Sequence, residues 1–214
     1  MKKRLIPVIH LIDTNQVKEN IEICLENNVN HVFLINHQSN YEHLLYVTED
    51  IRYFYPELWI GLNMLDVHPH VSLTMNFLKE NDINALWIDK TLTLADVSNI
   101  QFKGEIFSGL NFKYQKQYSD EELIDVINIL KQTSTVACTS GAGTGIEANI
   151  DKIKKLKEAI GDSFPLALAS GVSVDNIESY LPYVDDFLVA SSITDNKTEI
   201  IDSNKLKKLI NKFI

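Results

Sequence analysis

The chain has 214 residues, of which 45% are hydrophobic and 23% charged, and this suits one domain (residues 1–214) with a full core. The formal net charge of -9 argues against a nucleic-acid partner, because binding to a phosphate backbone requires a basic surface. The apolar run after Arg4 is too short for a signal peptide or a membrane span. Cys24 and Cys138 fit core positions rather than a disulfide. From both features we expect a cytoplasmic protein.

Eight short apolar runs follow one another along the chain, and most are followed by an amphipathic segment. Consecutive parallel strands need a helical crossover, so this alternation predicts βα units. Eight units favour closure into a single (β/α)8 TIM barrel of the α/β class over an open doubly wound sheet. The predicted strands are residues 5–11, 31–36, 59–65, 85–88, 105–112, 135–138, 164–169 and 187–190.

Capping residues predict where several helices begin and end. The predicted N-caps are Thr14, Ser119 with Glu122 in a capping box, Asn149, Ser173 and Ser203. Gly161 is the predicted C-cap of a helix that buries Ile153 and exposes the lysines of residues 152–157. Residues 71–80 predict a helix with Phe77 and Leu78 inward, and residues 91–100 predict at most a short helix.

Three turns rich in glycine and hydroxyl groups follow the last three predicted strands. The first, residues 139–145, reads TSGAGTG. Glycine lets a backbone approach a ligand closely and hydroxyl groups donate hydrogen bonds, so these turns predict a phosphate site at the C-terminal face of the barrel. The predicted phosphate-binding residues are Ser140, Gly141, Gly143, Thr144, Gly145, Ser170, Gly171, Ser191 and Ser192. An ordinary flexible connection is the alternative, because the string matches neither GxxxxGK[ST] nor GxGxxG.

Polar side chains at the carboxyl ends of the other predicted strands are the candidates for chemistry. The candidate catalytic residues are His10, Asp89 and Lys113, and the candidate substrate-binding residues are Asn36, Asn63 and Asn111. An amine at the mouth of an apolar strand suits Schiff-base or general-base chemistry, or it pairs with phosphate as a point charge. Strand alternation predicts Lys113 on the same side as Asn111 and Gly109, with Asp89 on the adjacent strand.

Each candidate also has a structural interpretation. Lys113 could be an exposed lysine in a polar turn, Asp89 could form a structural ion pair with it, and His10 could be a satisfied histidine beneath the first loop. His68 and His70 flank Pro69 without a matching set of carboxylates or thiols, which favours a loop leading into a helix over a metal site. No metal or cofactor is predicted.

Several segments resemble successive motifs of the BtpA family, which is named for a protein linked to photosystem I biogenesis and is similar to ribulose-phosphate-binding barrels. They are WIGLNML (59–65), SGLNFKY (108–114), TSGAGTG (139–145), ASGVSVDNIESYL (169–181) and DDFLVASS (185–192). The resemblance implies a TIM barrel with a phosphate site after the last strands and matches Lys113 to the family's strand-five lysine. Where this chain has Ala190 and Thr194, the family tends to have glycine and lysine. The resemblance therefore implies that backbone and hydroxyl groups would hold the phosphate in this chain.

Two functions remain open from the sequence. One is an enzyme that acts on a small phosphorylated metabolite such as a sugar phosphate or nucleotide. Its reaction would be that of a lyase, of an isomerase, or of a transferase of glycosyl or phosphoribosyl groups. The other is a non-catalytic assembly or regulatory factor that uses the barrel as an interaction scaffold. A polar, ligand-sized pocket beside Lys113 would favour the enzyme, and a filled barrel mouth with an exposed apolar patch would favour the scaffold. A homo-oligomer is compatible with either.

Overall fold

The computed structural model describes residues 3–98, 100, 102–195 and 197–213. Parallel strands pair in chain order and β8 pairs with β1, so the sheet closes into a barrel and the predicted TIM-barrel fold is confirmed. The strands are β1 (Arg4–His10), β2 (His31–Ile35), β3 (Trp59–Asn63), β4 (Ala85–Ile88), β5 (Glu105–Gly109), β6 (Val136–Ser140), β7 (Leu166–Ala169) and β8 (Asp186–Val189).

Helices connect most of the strands on the outside of the barrel. They are α1 (Thr14–Glu26), α2 (Tyr41–Phe54), α3 (Pro69–Thr74), α4 (Asn76–Glu80), α5 (Asp120–Thr133), α6 (Ile150–Ile160), α7 (Ile177–Tyr180) and α8 (Ser203–Ile210), followed by a 3-10 turn (Asn211–Phe213). The single helix predicted for residues 71–80 is divided at Met75, although Leu78 is buried as expected and Phe77 is half-buried. Residues 91–93 have no regular structure and residues 94–98 form turns without a helix, and Asn99 lies outside the described residues.

The apolar side chains form two cores because successive side chains of a strand point to opposite faces. The larger core lies between the strands and the helices, and it includes Ile153 and Leu156 of α6. The smaller core fills the barrel interior with Phe33, Trp87 and Phe107, whose rings meet edge to face. A filled interior leaves the ends of the barrel as the places where a ligand can bind.

Three predicted N-caps were wrong. The carboxylate of Asp13 accepts from the backbone N–H of Gln16, so Thr14 is already the first residue of α1. Asp202 caps α8 in the same way, one residue before Ser203. Ser173 lies in a turn, and α7 begins only at Ile177. In α1 and α8 an aspartate next to a hydroxyl residue takes the cap, because both residue types are good N-caps and the tertiary path of the chain selects one.

Other predicted boundaries agree with the structure. Ser119 and Glu122 form the capping box of α5, Asn149 caps α6, and Gly161 ends α6 with a φ of 79°. Lys152 and Lys157 of α6 are not solvated as predicted, because both side chains donate hydrogen bonds to backbone carbonyls. The long side chain of a lysine can run along the protein surface and bring its amine to a polar group that a helical wheel does not show.

Arg4 closes the N-terminal end of the barrel. Its guanidinium donates two hydrogen bonds to the carboxylate of Asp186 at 2.6 and 2.8 Å and two to Glu105 at 2.9 and 2.7 Å. It also lies over the rings of Trp59 and Phe107. The planar guanidinium can form both pairs at once because its donors are arranged as a fork.

We expect Ile153→Ala to lower the free energy of unfolding by about 2–5 kcal/mol, because the fully buried side chain would leave a cavity between α6 and the barrel. The exposed Glu158→Ala on the same helix is the control and is expected to change stability by less than about 0.5 kcal/mol. Urea denaturation of both variants measures the difference. Equal effects would show that the buried face of α6 is misassigned.

Candidate functional site

A cavity of about 500 Å³ lies at the carboxyl ends of the strands. Its floor is apolar, with Val8, Ile35, Trp87 and Leu188 from four strands. Its rim is polar and is built by the turns after β6, β7 and β8 together with histidines that end β1 and follow β2. This size is within the range of pockets that bind small molecules.

Lys113 projects into this cavity from the loop after β5. Its ammonium donates a hydrogen bond to Oγ of Ser170 at 2.8 Å and another to Oγ1 of Thr144 at 3.1 Å. Burial lowers the pKa of Lys113, and the nearby charge of Asp89 partly offsets this effect. The amine thus lies between two of the three turns that the sequence singled out.

The path of the chain to Lys113 differs from the predicted strand. β5 ends at Gly109, and Asn111 has a φ of 48°, so the alternation of sides stops before Lys113. Phe112 packs into the barrel interior beside Trp87. The strand alternation that predicted Lys113 on one face with Asn111 and Gly109 therefore does not reach Lys113, because β5 ends at Gly109 and Asn111 is left-handed.

The turns after β7 and β8 supply most of the polar rim. Ser170, Gly171, Ser191 and Ser192 line the cavity, and Thr144 and Gly145 join them from the turn after β6. Ser170 and Gly171 both have a φ of 72°. Such a backbone is uncommon for serine, and strained residues of this kind cluster at binding sites. The structure brings these six predicted phosphate-binding residues together.

Three other predicted phosphate-binding residues do not line this cavity. Oγ of Ser140 accepts from the backbone N–H of Lys113 at 2.8 Å, so Ser140 positions the lysine loop. A Cβ on Gly141 would overlap the carbonyl oxygen of Ile146, so Gly141 serves the folding of its own turn. Gly143 packs near Ile146 and Tyr114.

Two histidines lie at the other side of the cavity. The rings of His10 and His37 are 4.7 Å apart between centroids, and Nδ1 of His10 is 3.3 Å from Oε2 of Glu199. Burial lowers the pKa of His37, and the charges of His10 and Lys113 act in the same direction. The sequence analysis identified His10 but missed His37, although it directly follows a strand end. Glu199 lies in an irregular segment that carries no sequence signal.

Asp89 lies apart from the main cavity. It lines a neighbouring cavity of about 170 Å³ together with Asn63, whose amide donates to Oδ1 of Asp89 at 3.2 Å. Burial raises the pKa of Asp89, and the hydrogen bond from Asn63 acts against this shift. In the described part of the chain, Asp89 and Lys113 influence each other electrostatically but make no direct ion pair. Of the three predicted catalytic residues, His10 and Lys113 thus line the main cavity and Asp89 lines the neighbouring one.

The remaining two asparagines hold loops. The amide of Asn36 donates to Asp66, and its oxygen accepts from the backbone N–H of Leu65. Asn111 exchanges hydrogen bonds with the backbone of Tyr118 and so closes the loop that carries Lys113. Neither lines the main cavity. An asparagine can satisfy a loop backbone as well as a substrate, and the sequence does not distinguish the two.

Lys152 holds the loop that carries Lys113, a role that the sequence did not predict. Its amine donates to the carbonyl oxygens of Asn111 at 2.5 Å and Ser140 at 2.8 Å, which ties the loop after β5 to the end of β6. Burial lowers the pKa of Lys152 to about 8. The lysine pattern of α6 gave no indication of this role, because its partners are backbone atoms of distant segments.

Two buried polar atoms of cavity-lining residues have no hydrogen-bond partner among the described residues. They are Nε1 of Trp87 and Oγ of Ser192. Buried polar atoms in folded proteins are nearly always paired, so each such exception needs an explanation. A polar ligand in the cavity would supply one.

His68 and His70 have structural contacts. Nδ1 of His68 accepts from the backbone N–H of His70 at the start of α3, and the ring of His70 contacts the carbonyl oxygen of Asp96. Across residues 3–98, 100, 102–195 and 197–213, no group of three or more His, Cys, Asp or Glu side chains could hold a metal ion. Within the same residues no helix is long and apolar enough to cross a membrane.

The fold and the cavity define the class of protein: a TIM barrel with a ligand-sized cavity, apolar at its floor and polar at its rim, at the carboxyl ends of its strands. The sequence model of the BtpA family matches residues 64–213, and the chain belongs to the BtpA family. This confirms the resemblance inferred from the motifs, four of which lie wholly within the matched range.

The chain is similar in sequence to one curated protein and in fold to several solved structures. An uncharacterized protein of Methanocaldococcus jannaschii is 27% identical over 111 residues, and the match covers 51% of this chain but only 42% of that protein. Phosphoribosyl anthranilate isomerase from Thermus thermophilus superposes with a TM-score of 0.70 at 12% identity, covering 98% of this chain and 97% of that chain. Thiamine phosphate pyrophosphorylase from Pyrococcus furiosus gives 0.69 at 10% identity, covering 99% and 96%. At these identities the structural likeness shows the fold alone.

Proposed function

We propose that this protein is an enzyme that binds a small phosphorylated metabolite, a sugar phosphate or nucleotide, in the cavity at the C-terminal mouth of the barrel. The phosphate lies against the turns after β6, β7 and β8, and Lys113 supplies the positive charge. The observation that carries the proposal is the ammonium of Lys113, held between Thr144 and Ser170 at the edge of a cavity of about 500 Å³.

Three further observations support a phosphate ester. The turns present hydroxyl groups and a left-handed backbone at Ser170 and Gly171, and Ser192 has a buried hydroxyl oxygen without a partner among the described residues. Charge-assisted hydrogen bonds from an ammonium to phosphate are stronger than neutral ones. Two of the solved neighbours are named for reactions of phosphorylated compounds, a phosphoribosyl compound and a thiamine phosphate.

The other end of the cavity provides groups for chemistry. His10 and His37 line the cavity at the ends of β1 and β2, and a histidine exchanges protons near neutral pH. A ligand anchored by its phosphate would place its remaining carbon skeleton towards these rings. Proton transfer, as in an isomerisation or a bond cleavage, is the reaction type that this arrangement supports.

A non-catalytic scaffold is the second candidate, and exposed apolar side chains favour it. Leu65, Leu94, Tyr114 and Ile146 are 44–78% exposed on loops that follow β3 to β6, at the same end of the barrel as the cavity. Large exposed apolar patches mark protein interaction sites. A scaffold would bind a protein through these side chains without converting a metabolite.

Thermal-shift screening of a panel of sugar phosphates and nucleotides tests the proposal, followed by titration calorimetry of each hit. We expect Ser170→Ala to weaken binding of a hit, because it removes one hydroxyl of the phosphate site and one partner of Lys113. Ser98→Ala, an exposed serine outside the cavity, is the control.

Gly171→Val should also abolish binding, but a Cβ there would overlap the carbonyl oxygen of Ile146, so Ser170→Ala is the cleaner variant. No hit, or equal binding by both serine variants, would contradict the proposal.

A further inference from the structure

Glu199 has an unusual backbone conformation beside the candidate site. Its φ is 54°, in the left-handed region that a residue with a side chain rarely adopts. Such strain persists only where the surrounding structure imposes it, and it is often found at functional sites. The carboxylate of Glu199 contacts His10, although Glu199 itself does not line the cavity.

Two buried amides of α1 hold Glu199 in this conformation. Nε2 of Gln16 donates both to the carbonyl oxygen of Glu199 and to that of His10, each at 3.1 Å, so one amide joins the two backbones. Nδ2 of Asn20 donates to the same carbonyl of Glu199 at 3.0 Å, and its oxygen accepts from the backbone N–H of Ile201. Asn20 is fully buried and Gln16 is 7% exposed. A buried amide destabilises the folded state unless its polar atoms are hydrogen-bonded. The hydrogen bonds from Gln16 and Asn20 therefore fix the backbone of Glu199 in the folded protein.

The contact decides which nitrogen of His10 carries the proton. Nδ1 lies 3.3 Å from Oε2 of Glu199, and the two side chains are only 15% and 20% exposed. A carboxylate attracts an N–H and repels a nitrogen lone pair, so Nδ1 is the protonated nitrogen of the neutral ring. Nε2, at the other edge of the ring, is then the nitrogen with a free lone pair.

We propose that Glu199 is a positioning residue that holds His10 as its Nδ1–H tautomer, so that Nε2 is the proton acceptor of the cavity. This inference rests on the proposed function for its substrate, a phosphorylated metabolite whose phosphate lies at Ser170 and Thr144. Nε2 removes a proton from a C–H or O–H group of the bound metabolite, and the bonding electron pair stays on the metabolite. The imidazolium, stabilised by the carboxylate of Glu199, then returns the proton to the product, so the protein is unchanged.

Nitrogen NMR of 15N-histidine-labelled protein tests the tautomer without any ligand. At about pH 8.5, above the ordinary titration range of histidine, we expect His10 to carry its proton on Nδ1 in the wild type. Glu199→Gln should keep this form, because an amide oxygen still accepts, and Glu199→Ala should shift the ring towards Nε2–H. The signal of His43 on α2 is the internal control and should not change. The same tautomer in the wild type and Glu199→Ala would overturn the inference.

A second variant guards against loss of the fold. Glu199→Gly removes the carboxylate while tolerating the positive φ, so it should fold and show the same tautomer change as Glu199→Ala. If Glu199→Gly is folded and its His10 keeps the proton on Nδ1, the carboxylate does not set the tautomer and the inference is wrong.

Binding of inorganic phosphate separates this inference from the proposed function. Wild type, Glu199→Ala and Glu199→Gln should bind phosphate alike, and Ser170→Ala should bind it more weakly. If the wild type does not bind phosphate, the proposed function fails while the NMR result still decides the role of Glu199. For any converted metabolite, His10→Asn should lower kcat by roughly 10²–10⁴-fold and Glu199→Ala should lower kcat more than it changes KM. An unchanged kcat in Glu199→Ala would contradict the proposed proton transfer.

Discussion

Replacing Lys113 by methionine is expected to weaken the binding of a phosphate ester by roughly 10- to 150-fold, the equivalent of about 1.5–3 kcal/mol for a hydrogen bond to a charged group. Methionine roughly preserves the volume of the side chain but removes the ammonium that contacts Thr144 and Ser170. Titration calorimetry with a hit from the metabolite panel measures the loss. Stability should change little, because the amine lies in a cavity rather than in a core.

Lys116→Met is the matched control for this variant. Lys116 lies in the same loop, but its side chain is 62% exposed and pairs with Glu122 on the surface. It should bind the ligand as the wild type does. If Lys113→Met and Lys116→Met bind equally well, Lys113 does not contact the phosphate, and unaltered conversion of the ligand would also exclude a catalytic role for it.

The pH dependence of binding offers a separate test of Lys113. Burial lowers its pKa below the ordinary value of 10.5. Phosphate binds the ammonium form of Lys113, so its affinity should fall as the pH rises through this lowered pKa. The fall should occur at a lower pH than it would with a lysine of ordinary pKa. Lys113→Met should lack this alkaline loss. A wild type and variant with the same alkaline profile would show that another group titrates.

Arg4→Met is expected to lower the free energy of unfolding by up to about 3–5 kcal/mol, the usual cost of leaving a buried charge without its partner, although the Arg4 side chain itself is 29% exposed. Only 4% of the Asp186 side chain is exposed, and its carboxylate is bound at both oxygens by Arg4. Without the guanidinium, a buried carboxylate would lack its countercharge at the base of the barrel. Urea denaturation at pH 7 measures the effect.

Two control variants accompany Arg4→Met: one breaks an exposed ion pair, and the other keeps the charge of Arg4 but changes the geometry of its donors. Lys212→Met breaks a surface pair with Glu178, whose side chain is 68% exposed, and should cost no more than about 1 kcal/mol. Arg4→Lys should fall between the two, because an ammonium cannot fork to both Asp186 and Glu105. Equal losses in Arg4→Met and Lys212→Met would show that the network of Arg4, Asp186 and Glu105 does not stabilise the barrel.

The cost of Arg4→Met should also depend on pH. Burial already raises the pKa of Asp186 in the folded protein, and removing Arg4 takes away the hydrogen bonds that oppose this rise. A carboxyl group whose folded pKa lies above its unfolded pKa favours the folded state at low pH and loses that contribution as the pH rises. The destabilisation of Arg4→Met should therefore shrink as the pH is lowered through the raised pKa of Asp186.

The fold could be predicted from the sequence because its determinants are local and repeated. Apolar runs of strand length alternate with helical patterns, and the Ser119 capping box and Gly161 mark helix ends by chemistry within a few residues. Eight units of this kind have few ways to bury both faces of a parallel sheet other than a closed barrel. That turns follow β6 to β8 could be predicted for the same reason, since glycine and hydroxyl residues have strong local preferences, while their binding of phosphate stays a prediction.

Only the tertiary structure decided which side chains meet in the site. The left-handed Asn111 ended the alternation that the sequence suggested and sent Lys113 to Ser170 rather than to Asp89. Likewise, the carboxylate of Glu199 reaches His10 because Gln16 joins the backbones of residues from opposite ends of the chain. Strand and helix patterns depend on neighbours within a few positions, whereas these contacts depend on loop conformations and on long-range packing that closes the barrel, so no local pattern records them.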